Sequence, residues 1–228
     1  NRKIADAHRL FILEDGAQGF GGMIGNKRAC SFGDISTTSF FPAKPLGCYG
    51  DGGAVFTDND EWAALADSYR VHGKGMFKYD NVRIGMNSRL DTLQAAILKI
   101  KFKAFREYEL RDINKAAALY TRLLAGRVKT PVTPEGYYSS WAQYTICLNS
   151  REERDALQAC LKEQGIPSMV YYPTPMHGQT AYKALNAPTD CCPTAKRLCD
   201  TVLSLPVHPY ITEEEIETVC SVILGFVR

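Results

Sequence analysis

The sequence predicts an α/β layered fold followed by a smaller α+β domain at the C-terminal end. Short apolar runs closed by polar residues and glycine alternate with stretches of helical periodicity. Between them lies one long helical signal from Leu90 towards Leu123-Leu124. Beyond it, capping-box pairs at Ser150/Glu153 and Thr212/Glu215 mark two further helix starts.

Taken in order, Leu10-Phe11-Ile12-Leu13 ended by Glu14-Asp15-Gly16 reads as a buried parallel strand with polar groups at its carboxyl end. Ile35 to Phe41 is β-branched and aromatic and reads as a second strand; Ala54 to Thr57, after Gly52-Gly53, reads as a third. Asn59 or Asp60 caps a helix over 61–70. A glycine-bearing loop over 73–85 leads to the long helix, where Leu93, Ala96, Ile97 and Ile100 recur at helical spacing. A bend is expected near Asp112-Ile113-Asn114 and a stop at Gly126. Tyr144 to Leu148 and Pro167 to Tyr172 read as strands, with helices through Lys162 and from Thr212 onward. The expected division is 1–112 and 113–228.

Composition narrows the function classes. The formal net charge of +2 comes from 27 basic and 25 acidic residues with no basic block, so nucleic acid is not expected as a partner. No apolar run approaches the roughly 20 residues that span a bilayer, so no membrane association is expected. The eight cysteines are scattered in a chain too large to need staples, which points to reduced thiols and a cytoplasmic protein. Cys191-Cys192 and Cys199 have only His177 and His208 as flanking histidines, at spacings that match no zinc motif, so no metal is expected. The opening Asn1 to His8 has neither an initiator Met nor a signal-type apolar region and reads as the interior of a longer protein.

Three segments carry candidate chemistry: Glu14-Asp15-Gly16-Ala17-Gln18, Ser39-Phe40-Phe41-Pro42-Ala43-Lys44-Pro45-Leu46-Gly47 and Gly50-Asp51-Gly52-Gly53. Ligands of open α/β sheets sit at strand carboxyl ends, so Asp15 and Lys44, just past two such ends, could face one crevice. A lysine among prolines and apolar residues can be partly desolvated, which makes its amine nucleophilic. A surface lysine in a turn and a helix-capping aspartate account for the same residues. His72, before Gly73, reads as either a catalytic group or a cap on helix carbonyls. Tyr137, Tyr138 and Trp141 read as packing, and Gly21-Gly22 as turn glycines.

These segments, with Gly85-Met86-Asn87-Ser88-Arg89-Leu90-Asp91-Thr92-Leu93-Gln94-Ala95-Ala96, Tyr171-Tyr172-Pro173-Thr174-Pro175 and Leu203-Ser204-Leu205-Pro206, resemble in order and spacing the DegT/DnrJ/StrS family of nucleotide-sugar aminotransferases. The resemblance implies pyridoxal 5'-phosphate (PLP) as cofactor. It also implies the fold-type I large domain, a mostly parallel sheet flanked by helices, over 1–112, with the smaller domain over 113–228. On this resemblance Lys44 forms the Schiff base with PLP and shuttles the proton, and Asp15 pairs with the pyridine nitrogen. Gln18 lies against the ring or its phenolic oxygen, and Ser39 bonds the phosphate. Asn87 reaches the cofactor of a neighbouring subunit, which implies a homodimer with shared sites. Arg89, Tyr171 and Tyr172 are implied in substrate binding.

Dehydratase members carry His where Lys44 stands, so lysine implies amino transfer, with glutamate as the expected donor. The subgroup acting on UDP-2-acetamido-2-deoxy-3-oxo-glucuronate is similar around Lys44 to Gly53, but carries His-Tyr-Pro in place of Tyr171-Tyr172-Pro173. The implied substrate is therefore a 3-oxo or 4-oxo UDP- or dTDP-sugar, used in polysaccharide or glycan synthesis. Family members carry a large region before the Glu14-Asp15 strand. Without it, weak PLP binding and exposed sheet edges are expected. A non-catalytic regulatory relative and an inactive fragment are the rival expectations.

Overall fold

In a computed structural model describing residues 1–77, 79–186, 188 and 190–227, the chain divides into two units. One comprises Asn1–Leu110 with Thr133–Ala142; the other comprises Arg111–Val132 with the chain from Gln143 onward. A single cut at residue 112 therefore misses the return of Thr133–Ala142 to the first unit, a return made by strand pairing.

The first unit begins with a helix that the sequence reading did not anticipate. Helix α1 (Arg2–His8) buries only Ala5, so it left no apolar period to read, and Arg9 ends it in the left-handed region at φ 55°. Asp34 ties it down: Oδ1 lies 3.0 Å from Arg2 Nη1, and Oδ2 accepts the Ile12 N–H at 2.7 Å. Strands β1 (Leu13–Asp15), β2 (Met23–Ile24), β3 (Lys27–Arg28), β4 (Ile35–Ser39) and β5 (Gly53–Phe56) follow. One sheet has the order β1-β4-β5. β1 and β4 are parallel, with Asp15 beside Thr37; β4 and β5 are antiparallel, with Ser39 beside Gly53. The expected burial of the first apolar run is not found: Phe11, just before β1, is 76% exposed, and Leu13, on this edge strand, is 68% exposed.

Asn59 caps α2 (Asp60–Arg70), its side-chain oxygen accepting the Trp62 N–H at 3.0 Å. Helix α3 (Thr92–Ala104) is followed by one wide π-helical turn, Phe105–Glu109, where the Leu110 N–H reaches back to Phe105 O. The interruption thus lies upstream of the expected Asp112–Asn114. Strand β6 (Tyr137–Tyr138) pairs antiparallel with β2, which is itself antiparallel to β3. The core joins Leu46, Cys48, Leu98, Phe105 and Leu110, with Phe20, Phe40, Leu90 and Tyr138 packed around it. Gly21, at φ +94°, is required there, since a Cβ would meet the Phe105 ring at 2.5 Å.

The second unit contains α4 (Leu110–Leu124) from Arg111 onward, β7 (Tyr144–Cys147), α5 (Arg151–Glu163), α6 (Pro193–Thr201), β8 (Val202–Leu205) and α7 (Glu213–Phe226). β7 and β8 form an antiparallel pair. Both expected caps form: Ser150 Oγ accepts the Glu153 N–H at 3.2 Å, and Thr212 with Glu215 makes a full capping box. Pro167 to Tyr172 is not a strand; only Met169 bridges to Ser204, through bonds of 3.1 and 2.8 Å. Tyr120, Tyr144, Leu157, Leu161, Leu203 and Ile223 form the buried centre, where Tyr120 OH donates to Pro206 O at 2.9 Å. Among the described residues no helix is long and apolar enough to cross a membrane.

Candidate active site

Parallel pairing brings Asp15 and Ser39 to the carboxyl ends of neighbouring strands, and Lys44 follows five residues beyond Ser39. The start of β5 reaches the same sheet edge. The lysine loop is an arch pinned at its base. Phe40 N–H donates to Gly52 O at 2.7 Å, Cys48 N–H donates to Phe40 O at 2.8 Å, and Lys44 N–H closes a turn to Phe41 O at 2.9 Å. Cys48 is fully buried, its thiol 3.0 Å from both Phe40 O and Gly50 O. Gly47 packs so closely on the loop that a Cβ would lie 2.5 Å from Pro42 O.

The functional groups on this edge are only partly committed. Asp15 is exposed; its Oδ1 accepts the Ala17 N–H at 3.0 Å, and its Oδ2 makes no hydrogen bond among the described residues. Ser39 Oγ accepts the Phe41 N–H at 3.2 Å, which leaves its proton to donate. Lys44 is half-buried, and its Nζ makes no ion pair among the described residues. Gln18 is exposed, and its backbone carbonyl oxygen accepts from Ser140 Oγ at 3.3 Å. An uncommitted carboxylate oxygen, a hydroxyl donor and a lysine amine fit the protonated ring nitrogen, phosphate and carbonyl of PLP.

Glu14 was not singled out from sequence, yet it ties β1 to the loop that leads into β4. Its carboxylate accepts the N–H groups of Cys30, Phe32 and Gly33 at 2.6, 2.7 and 3.1 Å, and the Ser36 hydroxyl at 3.2 Å. Burial pushes the Glu14 carboxyl up, but these four bonds outweigh it and leave the group below its ordinary value of 4.5. A depressed carboxyl stabilises the fold above its ordinary range, and that contribution disappears as pH falls through the folded value. In thermal melts across about pH 3 to 7, Glu14→Gln is expected to flatten part of the acid-side loss of Tm. A curve parallel to wild type would contradict this.

Asn87 and Arg89 lie elsewhere in the same unit. Their segment is pinned to the end of α2, with Met86 N–H on Tyr69 O at 2.7 Å and Ser88 N–H on Arg70 O at 2.9 Å. Arg89 Nη1 is 3.1 Å from His72 Nε2, so His72 meets a guanidinium rather than helix carbonyls. With Asp51, Gly53 and Arg70, Asn87 and Arg89 line a cavity of about 1070 Å³ that Asp15, Ser39 and Lys44 do not line. Tyr171 and Tyr172 belong to the second unit, where their rings meet edge to face at 5.5 Å. All eight cysteines are free. The spacing argument against a histidine partner for Cys191-Cys192 does not hold in space, since His177 and both thiols place their ligand atoms within 4.8 Å of one another.

The DegT/DnrJ/EryC1/StrS aminotransferase family profile matches residues 1–224. The UDP-2-acetamido-2-deoxy-3-oxo-D-glucuronate aminotransferase of Pseudomonas aeruginosa is 41% identical over 219 residues, covering 96% of this chain and 59% of the relative. A solved DegT DnrJ EryC1 StrS aminotransferase from Brucella abortus superposes with a TM-score of 0.92 at 46% identity, over 99% of this chain and 60% of that one. NtdA from Bacillus subtilis, solved with bound cofactor PMP, gives a TM-score of 0.87 at 29% identity, over 99% of this chain and 52% of that one. The chain thus spans about three-fifths of the length of the curated relative. It shares the α/β fold of these structures, and it belongs to the DegT/DnrJ/EryC1/StrS aminotransferase family.

Proposed function

We propose that the protein is a PLP-dependent aminotransferase that moves an amino group from an amino-acid donor, glutamate, to a keto UDP- or dTDP-sugar. The observation that carries this reading is the strand-end edge on which Asp15, Ser39 and Lys44 follow one another with uncommitted polar atoms. PLP, when bound, supplies an electron sink that stabilises the charge left as a substrate carbon loses its proton. Lys44 would hold the cofactor covalently through Nζ and, once the donor amine displaces it, carry that proton. Asp15 Oδ2 would accept the ring N–H and keep the ring cationic. Ser39 Oγ would donate to the phosphate, and Gln18 would lie against the ring.

Arg89, Tyr171 and Tyr172 would bind the nucleotide sugar, the guanidinium taking a diphosphate oxygen pair. His72 would hold Arg89 in place. An exposed hydrogen bond of about 0.5–1 kcal/mol corresponds to about two- to fivefold in binding, so His72→Ala is expected to raise the sugar KM by that factor with kcat unchanged.

A homodimer with shared sites, Asn87 of each copy serving the other's phosphate, is supported by two features. Asn87 lines a cavity without Lys44, and Met76, Phe77, Tyr79 and Ile84 expose 74–95% of their surface on one loop. The free cysteines support a reducing, cytoplasmic setting.

The test is to incubate the protein with PLP, reduce with borohydride and map the adduct by mass spectrometry. The expected outcome is PLP fixed on Lys44. Fixation on another lysine would remove Lys44 from this reading, and no fixation would leave an inactive fragment or a non-catalytic relative.

A further inference from the structure

We propose that His177, Cys191 and Cys192 form a zinc site on the second unit, tying the short helical turn Met176–Gly178 to the start of α6. The three residue types are the usual ligands of this ion, two thiolates and an imidazole, with one position left for water. Soft thiolates select Zn²⁺ over Mg²⁺, Ca²⁺ or Mn²⁺.

The spacing supports the assignment. Cys191 Sγ and Cys192 Sγ lie 3.8 Å apart. Tetrahedral zinc, with Zn–S bonds of about 2.3 Å, places two sulfurs about 3.8 Å apart and a sulfur and an imidazole nitrogen about 3.6 Å apart. The thiol pair therefore already stands at ligand spacing. The imidazole, within 4.8 Å, has to approach by no more than about 1.2 Å. The thiols are also too far apart for a disulfide, whose sulfurs stand about 2.05 Å apart.

The backbone under each ligand is held independently of any ion. His177 sits in a turn closed by Gly178 N–H on Pro175 O at 2.9 Å and Gln179 N–H on Met176 O at 3.0 Å. Cys191 N–H donates to Pro188 O at 3.2 Å, and Cys192 O accepts the Lys196 N–H at 3.1 Å as α6 begins. Both cysteines are exposed and His177 is half-buried, so an ion can enter without opening the core. Chance proximity of three surface residues is the competing account. It predicts no particular stoichiometry and no dependence of metal binding on the histidine.

Bound there, the ion closes a loop across the helical segment Thr180–Leu185, which carries the exposed Lys183. The experiment titrates the tag-free chain, kept reduced, with Co²⁺ as spectroscopic probe, then with Zn²⁺. The expected result is one Co²⁺ per chain with the visible absorption of a tetrahedral thiolate site, displaced by one equivalent of Zn²⁺. Cys191→Ser and His177→Gln each weaken binding at least tenfold, while Cys160→Ser, away from the site, leaves it unchanged. Tryptic cleavage after Lys183 slows severalfold with Zn²⁺ in wild type and not in Cys191→Ser. Circular dichroism confirms that the variants are folded, as expected for side chains outside the core. Absence of the absorption at millimolar Co²⁺, or undiminished binding in Cys191→Ser or His177→Gln, overturns the proposal.

Discussion

Lys44→Ala is expected to abolish the borohydride-fixed PLP adduct and to lower amino transfer by about 10²–10⁴-fold, the range lost with a positioned proton-transfer group. The arch that carries it should survive the substitution. Its closing bonds use the backbone N–H groups of Phe40, Lys44 and Cys48 and the Cys48 thiol, none of which involves the lysine side chain. Stability should therefore stay within about 0.5 kcal/mol of wild type, as for a substitution away from the core. That separation distinguishes loss of a reacting group from loss of structure. A small amine added to the buffer should restore part of the rate, because it supplies the proton carrier without the tether that raises its effective concentration. A Lys44→Ala protein that still transfers amino groups within tenfold of wild type would remove Lys44 from the chemistry.

Asp15→Ala is expected to weaken PLP binding by about 10- to 150-fold, the equivalent of a charge-assisted hydrogen bond of about 1.5–3 kcal/mol. Asp15→Asn separates the two jobs of this side chain. An asparagine oxygen can still accept the Ala17 N–H that Oδ1 takes at 3.0 Å, but it cannot hold a cationic ring nitrogen. The asparagine variant should thus melt like wild type while losing cofactor affinity and turnover. Absorbance titration with PLP, run beside thermal melts, gives both readings. Equal affinities in all three proteins would place the ring nitrogen elsewhere.

The strand-end position of Asp15 could be read in advance because it closes an apolar run, whereas β4 stops at Ser39, two residues short of the expected Phe41. The helices with side-chain caps, at Asn59, Ser150 and Thr212, were equally legible, since capping is local chemistry. The two-residue strands β2, β3 and β6 were not, because partners more than a hundred residues apart create the β2–β6 pair. Pro167 to Tyr172 looked like a strand by composition but finds only one bridge, at Met169. Glu14 escaped notice because its bonding partners at Cys30, Phe32 and Gly33 belong to a loop with no sequence signature. His177 and the paired thiols show the same limit: linear spacing does not measure distance across a segment of short helical turns.

The wide turn at Phe105–Glu109 has a consequence for which insertions and deletions this lineage can tolerate. One additional residue in a helix advances its angular phase by about 100°. Leu98 precedes the turn, Phe105 opens it and Leu110 follows it, and all three reach one core of the first unit. The turn sets the phase at which Leu110 meets that core. Losing a single residue there would leave Leu110 chemically intact yet rotated off its buried face. Length variation in relatives should therefore collect in the loops and avoid this turn, although the turn itself holds no residue assigned to the chemistry.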